Sequence, residues 1–264
     1  MSAGHAGGDV AAVDDLGTPL PAGLRPRRVV SLVPSLTEAV EVTAPGLLIG
    51  STDYCTHPLS LDVARVGGSK YPDIERVLAL QPDLVLANAE ENRSSDVTAL
   101  RATGLAVWVT APDTVPAAIT SLGRMLTWAL DLDEPGWLRE AAVVWARSEP
   151  ERVTALVPVW RRPWVVIGRD TFAGDVLRHL GVRNIYADHV ERYPRPMLDE
   201  LRSCSADLLV LPDEPYMFTT EDGPEAFPDT PYALVSGRHL TWYGPSLGEA
   251  RALLAAQLSS VTRG

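Results

Sequence analysis

The sequence predicts an α/β protein made of two similar lobes with parallel sheets and a helical connector. Short apolar runs rich in β-branched residues alternate with helical patterns in residues 27–112 and again in residues 161–264. Residues 113–160 contain two longer helical patterns instead. An internal repeat at a constant offset of 124 residues relates the two α/β stretches. Strands that alternate with helices are typical of parallel sheets, so these observations together predict the fold class.

The composition is that of a globular protein, and it excludes several classes of function. The chain has 264 residues, of which 46% are hydrophobic, so it can bury a sizeable core. Its 34 acidic and 23 basic residues give a net charge of −11, which offers no basic surface for nucleic acid or anionic membranes. No apolar run approaches the roughly 18–20 residues of a membrane span. The two cysteines, Cys55 and Cys204, make neither a disulfide framework nor a thiolate zinc site.

Residues 1–26 are predicted to be a leader that is disordered or loosely attached. This stretch is rich in Gly, Pro, Ala and Asp, a composition that favours disorder. It has no basic start, and Asp9, Asp14 and Asp15 stand where the apolar core of a signal peptide would lie. As written, without signal peptide or lipobox, the sequence predicts a cytoplasmic protein. A true translation start upstream of Met1 would instead predict an extracytoplasmic one.

The N-terminal lobe, residues 27–112, is predicted to alternate strands and helices. Ser35 follows the first strand and Glu38 stands three residues later, a pattern typical of a capping box that opens a helix. Gln81-Pro82 ends the second helix, because proline cannot continue one. The predicted strands are 29–33, 47–51, 84–87 and 106–110, and the predicted helices begin near residues 35, 74 and 95.

Residues 113–160 are predicted to form the helical connector. Apolar residues recur at helical spacing from Thr114 to Leu130, and a second helix is predicted from Trp137 to about Leu156. A flexible linker would be rich in Gly and Ser, so the connector is expected to be rigid.

The C-terminal lobe, residues 161–264, returns to alternating strands and helices. Gly181 closes its first predicted helix. The predicted strands are 164–168, 208–211 and 232–235, and the predicted helices are 175–180, 198–203 and 246–261.

The internal repeat aligns a helix and a strand of one lobe with their counterparts in the other. Residues 74–87, IERVLALQPDLVLA, align with residues 198–211, LDELRSCSADLLVL. Glu75 falls on Asp199, and Asp83 falls on Asp207. Each lobe therefore carries a carboxylate at the start of the same helix, where an acid also complements the helix dipole in a purely structural role.

Loops that follow parallel strands are where open α/β sheets bind ligands. Ser35 lies at a helix N-terminus, where it either caps the helix or faces a ligand near free backbone donors. In the loop after the second strand, Tyr54, Cys55 and His57 can ligate a metal, or they can form a turn with a buried cysteine. A Cys-x-His pair supplies only two close ligands, so the structural role is favoured.

The loop after the third predicted strand is unusually polar. Glu90, Glu91, Asn92 and Arg93 follow one another directly at the strand end. They form either a solvated charged loop or part of a ligand site, and their position at the strand end supports the second hypothesis.

Aromatic residues mark the equivalent position of the second lobe. The segment 212–218 contains Glu214, Tyr216 and Phe218, and exposed Tyr and Phe side chains would suit a large flat or apolar ligand. The alternative is aromatic packing under a long loop. Trp242 and Tyr243 form a further candidate on similar grounds.

The sequence motifs of common enzymes are absent. There is no G-x-S-x-G elbow, no phosphate-binding loop, no H-E-x-x-H pair and no dinucleotide glycine fingerprint. Lys70 is the only lysine, so chemistry that needs an amine would have to use it. We therefore expect binding rather than catalysis, with no catalytic cofactor.

Six segments, taken with their order and spacing, resemble one known family. They are RVVSLVPSLTEAV, VGGSKYPDIERVLALQPDLVLANAEENR, VWVTAP, PWVVIGRDTFAGDVLRHLG, PDEPY and LTWYG. The chain resembles, from about Arg28 to Val261, the class III periplasmic binding proteins of ABC importers, or helical-backbone metal receptors, and most closely their cobalamin-binding members. The resemblance implies two Rossmann-like α/β lobes with parallel sheets joined by a long connecting helix, with the ligand in the cleft between lobes.

The resemblance also implies roles for particular residues. In this family an acidic residue on each lobe docks onto arginines of the permease, and these positions are Glu75 and Asp199 here. In the cobalamin receptors aromatic rings line the cleft; their tyrosine matches Tyr54, whereas their tryptophan position falls near Ser69-Lys70. The expected ligand-binding residues are Ser35, Tyr54, Cys55, His57, Ser69, Lys70, Glu90, Glu91, Asn92, Arg93, Glu214, Tyr216, Phe218, Trp242 and Tyr243.

The expected function is therefore that of a monomeric substrate-binding protein of an ABC-type importer. A corrinoid such as cobalamin is the leading ligand, and a ferric siderophore or haem comes next. A bare divalent ion would need three or four converging ligands, so a whole metal complex is expected instead. The competing hypothesis is a cytoplasmic enzyme or chaperone that handles a metal cofactor on the same fold, with Cys55, His57 and Lys70 as reactive groups.

Overall fold

The computed structural model describes residues 12–262, and they form a mixed α/β protein. The chain divides into two compact units. One runs up to Ala111 and includes Thr120–Gly136, and the other comprises Pro112–Ile119 and the residues from Trp137 onward. Each unit has a parallel sheet of its own, which confirms the predicted fold class.

The first unit is organised by a parallel sheet whose central strands are fully buried. Its elements are β1 (Val29–Ser31), α1 (Pro34–Thr43), β2 (Leu48–Ser51), β3 (Ala64–Arg65), α2 (Ile74–Ala79), β4 (Leu84–Asn88), α3 (Ser94–Ala102) and β5 (Ala106–Thr110). The strand order is β3-β2-β1-β4-β5. Every residue of β1 and β4 is buried because helices cover both faces of a parallel sheet, which is why these strands are continuous apolar runs in the sequence.

The connector contains the predicted first helix, but its second helix is shorter than predicted. Helix α4 (Val115–Arg124) continues into a π-helical turn at Met125–Ala129, and α5 covers Gly136–Val144. The prediction of a helix as far as Leu156 is wrong, because Val153–Leu156 form strand β6. This four-residue run follows Pro150, and an apolar run so short has no periodicity that distinguishes helix from strand.

The second unit repeats the plan with a four-stranded parallel sheet. After β6 its elements are β7 (Pro158–Trp160), β8 (Val165–Val166), α6 (Phe172–His179), β9 (Val182–Asn184), α7 (Leu198–Ser203), β10 (Leu208–Pro212), β11 (Tyr232–Val235), α8 (Gly237–Thr241) and α9 (Leu247–Ser259). The sheet order is β11-β10-β6-β9. Strand β8 pairs antiparallel with β7 outside this sheet, so the predicted strand 164–168 is only two residues long.

The internal repeat is reproduced residue for residue. Helices α2 and α7 begin and end at an offset of 124, as do strands β4 and β10. The matched aspartates play the same part: Asp83 accepts hydrogen bonds from the backbone N–H groups of Arg27 (2.7 Å) and Arg28 (2.9 Å), and Asp207 accepts one from that of Thr154 (2.8 Å). Each carboxylate thereby ties the loop before its strand to the neighbouring strand.

Part of the expected leader is an ordered piece of the first unit. The carboxylate of Asp14 is buried and accepts hydrogen bonds from Arg101 (2.6 Å) and from the backbone N–H of Val109 (3.2 Å). Asp15 accepts one from the hydroxyl of Ser121 (2.5 Å). A loosely attached leader is therefore wrong for the segment around these two residues, whereas residues 1–11 lie outside the described part. Within residues 12–262, no helix is long and apolar enough to span a membrane.

Candidate functional site

The carboxyl ends of the strands in the first unit are tied together by one buried amide. The side-chain N–H₂ of Asn92 donates to the carbonyl of Ser69 (2.8 Å) and to that of Leu32 (3.3 Å). Its amide oxygen accepts from the backbone N–H of Asn88 (2.8 Å). Three loops of the predicted site therefore meet at this edge of the sheet, and Asn92 acts as their brace because its side chain is fully engaged by protein groups.

Cys55 lies at the same edge as a buried, hydrogen-bonded thiol. Its sulfur is 3.0 Å from the hydroxyl of Thr37, which donates to it, and 3.2 Å from that of Thr52. Burial raises the pKa of Cys55, against the opposing effect of these hydroxyls. Because the thiolate is the metal-binding form, this environment favours the structural role over metal ligation. Across residues 12–262, no three His, Cys, Asp or Glu side chains are grouped so as to hold a metal ion.

The predicted capping box at Ser35 does not form. Val33 is the N-cap residue, Pro34 occupies the first helical position, and Ser35 is buried one position further in. Proline favours the first turn of a helix because its φ is already helical and its missing N–H is not needed there. The helix therefore begins two residues earlier than it would with Ser35 as its N-cap.

Polar residues of the β4–α3 loop are also held in place. The side-chain oxygen of Asn88 accepts hydrogen bonds from the backbone N–H groups of Glu90 (2.8 Å) and Glu91 (3.0 Å). The ammonium of Lys70 donates to the carbonyl of Glu90. The only lysine of the chain thus links the β3–α2 turn to this loop, and its cationic head stays exposed at the strand ends.

Tyr54 is exposed at this edge, as its predicted role requires. Its side chain is 66% exposed, and its ring lies over Gly68, where an added Cβ would approach the ring to 3.4 Å. His57 is half-buried, with Nδ1 3.1 Å from the hydroxyl of Thr56. The first unit therefore brings Tyr54, Cys55, Ser69, Lys70, Glu90, Asn92 and Arg93 into one connected set of loops, of which Cys55, Ser69 and Asn92 are buried.

A second exposed tyrosine lies in the same loops and was not singled out from the sequence. Tyr71 is 72% exposed, and the guanidinium of Arg93 lies 4.4 Å from the centre of its ring. It belongs to the turn between β3 and α2. No sequence pattern indicates the two-residue strand β3, so this turn is not recognisable as a loop at a strand end. The Gly67-Gly68 pair followed by Pro72 is the signal that could have marked it.

In the second unit, Glu214 lies at the carboxyl end of β10 against the start of α8. Gly237 leaves no room for a side chain there, since a Cβ would come within 2.4 Å of the Glu214 carbonyl oxygen. Burial, and then the carboxylate of Asp213, raises the pKa of Glu214, while Arg238 and the indole of Trp242 oppose the rise. The Oε1 atom of Glu214 is buried without a hydrogen-bond partner in the protein.

Tyr216 is half-buried beside an exposed tryptophan. Its hydroxyl donates to Asp222 (2.6 Å), and its ring makes an edge contact with the ring of Trp160 at 5.7 Å between centroids. Trp160 is 44% exposed at the end of β7, and Met217 is exposed next to Tyr216. Sequence reasoning missed Trp160 because it fell in the predicted connector.

Other aromatic residues proposed for this site belong to the core instead. Phe218 is only 3% exposed and stacks on Trp164 at 6.1 Å between ring centroids. Tyr243 packs edge-on against Phe172 at 5.6 Å, and Trp242 is buried as well. The expectation that Phe218 would be exposed is therefore wrong, and the alternative of aromatic packing under the loop describes it.

The matched carboxylates Glu75 and Asp199 are both exposed. Each occupies the second position of its helix, α2 and α7 respectively. The side chain of Asp199 is 97% exposed and is 3.8 Å from Arg202, a distance that implies a weak surface pair. Neither unit buries its carboxylate, so both remain free to meet a partner.

Comparison with known proteins supports the resemblance drawn from the sequence. No family model matches the chain. The vitamin B12-binding protein of Yersinia pestis (strain Pestoides F) is 24% identical over 197 residues, which cover 70% of this chain and 69% of that protein. The periplasmic vitamin B12-binding protein BtuF of Vibrio cholerae has a similar structure, with a TM-score of 0.69, 17% identity, and coverage of 89% of this chain and 97% of its own. The periplasmic haem-binding protein BhuT, solved with two haems, gives a TM-score of 0.68, 21% identity, and coverage of 88% and 97%.

These likenesses define the fold of the chain. The chain has the fold of the class III periplasmic binding proteins, which confirms the resemblance drawn from its sequence. The curated relative reported above is a vitamin B12-binding protein.

Proposed function

We propose that this protein is a substrate-binding protein of an ABC-type importer and that its ligand is a corrinoid. The observation that carries the proposal is the sequence likeness to vitamin B12-binding proteins over 70% of the chain. Exposed aromatic and charged side chains at the strand ends of each unit agree with it. A large flat complex gains affinity from ring contact, and a few charged groups fix its orientation.

The proposed ligand contacts are the accessible members of the predicted set. In the first unit they are Tyr54, Lys70 and Arg93, with Glu91 beside them. In the second unit they are Glu214 and Tyr216, together with Trp160, which the sequence did not indicate. The buried members Ser35, Cys55, Ser69, Asn92, Phe218, Trp242 and Tyr243 are proposed to shape these edges from beneath.

Haem is the second candidate ligand, because several haem-binding proteins share the fold at the same level of similarity. Exposed tyrosine and charged side chains suit a planar porphyrin with carboxylates as well as they suit a corrin. Identification of the ligand therefore needs a direct comparison between the two macrocycles.

Calorimetric titration of the purified protein with cyanocobalamin, haemin, a ferric trihydroxamate and free divalent ions tests the proposal. We expect micromolar or tighter binding of cyanocobalamin and weaker binding of the others. Tight binding of haemin alone would move the assignment to the second candidate. Tight binding of a free ion, with no response to any complex, would contradict both.

We further propose that Glu75 and Asp199 dock onto basic residues of a permease. Their matched, exposed positions on α2 and α7 support this role. Charge reversal of both, Glu75→Lys with Asp199→Lys, should abolish ligand uptake in cells while leaving ligand affinity unchanged. Fractionation of the native host, with the ligand-loaded protein traced by its visible absorption, separates an extracytoplasmic importer component from the competing cytoplasmic cofactor-handling protein.

A further inference from the structure

Tyr71 has features that its contribution to stability does not explain. It is the most exposed aromatic side chain among the described residues, at 72%, yet it is held in one place. Aromatic rings stabilise a fold mainly by leaving water, and this ring has largely stayed in it.

The turn that carries Tyr71 is closed at its base. Gly67 and Pro72 form an isolated antiparallel bridge, and the backbone N–H of Tyr71 donates to the carbonyl of Gly68 at 3.2 Å. Gly67 has a φ of +84°, a conformation that side chains other than glycine rarely adopt. The backbone of Tyr71 is therefore fixed by the turn and does not depend on its ring.

The ring of Tyr71 is held separately, by Arg93, which is in turn held by the buried carboxylate of Asp96. Asp96 is buried in the first turn of α3 and accepts two hydrogen bonds from Arg93, at 2.8 Å each from Nε and Nη2. This two-point contact sets the plane of the guanidinium, which lies over the Tyr71 ring at 4.4 Å. Arginine rather than lysine is needed for this arrangement because only the planar guanidinium both chelates a carboxylate and stacks on a ring.

We propose that Tyr71 is a specificity-determining residue that stacks on the flat, conjugated face of a metal macrocycle, and that Asp96 positions it through Arg93. This inference rests on the proposed ligand-binding function. The ring lies in the loop set that already contains Tyr54 and Lys70, and the β3–α2 turn is joined to the β4–α3 loop by the Lys70 contact with Glu90. A stacked cation makes the ring favour an electron-rich partner, so a corrin or porphyrin fits it and a globular hydroxamate chelate does not.

The test compares ligand affinities of matched variants by absorption titration with cyanocobalamin, haemin and a ferric trihydroxamate. Tyr71→Ala should weaken macrocycle binding about fivefold to tenfold, and Tyr71→Phe should keep it within about twofold, because the contact is made by the ring face. Trp128→Ala is the control, since Trp128 is also exposed and also stacked by an arginine, Arg124, at 5.3 Å. It should leave affinity unchanged. Thermal unfolding checks that every variant is folded.

A double-mutant cycle separates positioning from a general structural role. Asp96→Asn should weaken macrocycle binding in the wild-type background and weaken it clearly less in the Tyr71→Ala background. Equal effects in both backgrounds would overturn the positioning role. If the wild-type protein binds a macrocycle and Tyr71→Ala binds it with the same affinity, the stacking role alone is overturned. Tight binding of the trihydroxamate without either macrocycle would also overturn it, whereas a wild-type protein that binds none of the three would overturn the proposed function.

Discussion

Asp207 accepts two hydrogen bonds from Thr154 through a single carboxylate oxygen. The threonine hydroxyl donates to Oδ2 at 2.7 Å and its backbone N–H donates at 2.8 Å, while the backbone N–H of Asp207 donates back to the Thr154 carbonyl at 3.0 Å. The hydroxyl first, and then the backbone N–H, lower the pKa of Asp207 by stabilising its ionised form. These hydrogen bonds join β10 to β6 at the amino end of β10, whereas Glu214 and Tyr216 follow its carboxyl end.

Replacing this carboxylate should make the protein less stable in a pH-dependent way. Since the folded-state pKa lies below the unfolded value of about 3.9, the contribution is present above about pH 4 and is lost as the pH falls through the folded pKa. Asp207→Asn should therefore lower the free energy of unfolding at pH 7, and the difference from wild type should shrink below about pH 4. Urea unfolding at several pH values measures it, with the exposed Asp199→Asn as control. A difference that stays constant with pH would contradict the explanation.

The hydrogen bonds between Thr154 and Asp207 also show why the internal repeat is the strongest indication of the fold in the sequence. A helix, an aspartate and a strand of the sheet occur at the same spacing in both copies, and α7 (Leu198–Ser203) has the bounds that the sequence predicts. Strand β11 (Tyr232–Val235), which lies outside the repeat, also has its predicted bounds. Strands buried on both faces are continuous apolar runs and are easily recognised. Strands β6 and β9 are three or four residues long and follow proline or glycine, and such short runs carry no periodicity.

The candidate site was harder to predict because exposure is a tertiary property. Tyr216 and Phe218 are two residues apart on one loop, yet only Phe218 is turned into the core, where it stacks on Trp164. The neighbouring sequence does not indicate which of the two rings is buried. Tyr71 and Trp160 were missed for a related reason: Tyr71 follows a two-residue strand, Trp160 ends a three-residue one, and strands so short are not recognised from sequence.

The segment around Asp14 should be essential to the stability of the first unit. Its buried carboxylate also accepts hydrogen bonds from the backbone N–H groups of Leu16 (3.0 Å) and Thr18 (2.8 Å). Asp14→Ala should lower the free energy of unfolding by about 3 kcal/mol, because it leaves Arg101 and the backbone N–H groups of Leu16, Thr18 and Val109 without their acceptor. Chemical denaturation measures this loss. The exposed Asp62→Ala is the control, and a loss no larger than in that control would show that the segment is dispensable.

The two cysteines should differ sharply in reactivity. Cys55 is buried and its pKa is raised, so little thiolate forms, whereas Cys204 is partly accessible. An aromatic disulfide reagent at pH 8 should therefore modify one thiol per folded chain and two in guanidinium. In Cys204→Ser the folded protein should not react. Rapid reaction of that variant would show that Cys55 is accessible and would reopen its role as a metal ligand.

The brace formed by Asn92 should control both stability and binding. Asn92→Ala removes the donors to the Ser69 and Leu32 carbonyls and should cost about 1–3 kcal/mol of unfolding free energy, because buried groups lose their partners. Ligand affinity should fall as well, since the β3–α2 turn, which carries Lys70 and lies beneath the Tyr54 ring at Gly68, loses its support. Ser95→Ala, on the exposed face of α3, is the control for both measurements. A variant with full stability and full affinity would contradict the bracing role.

Glu214 should destabilise the protein at neutral pH. Its carboxylate is partly removed from water, lies near Asp213 and has one buried oxygen without a partner, so its folded-state pKa is raised. For an acid with a raised pKa, stability is full below the unfolded value of about 4.3 and falls as the pH rises through the folded pKa. Glu214→Gln should therefore unfold at higher urea than wild type at pH 7 and at the same urea near pH 4, whereas Glu75→Gln, exposed on α2, should match wild type at both. A Gln variant that is less stable at pH 7 would mean that the ionised carboxylate is satisfied in the fold. If the stabilised variant also binds the macrocycle more weakly, the acid is retained at this strand end for the ligand at the expense of the fold.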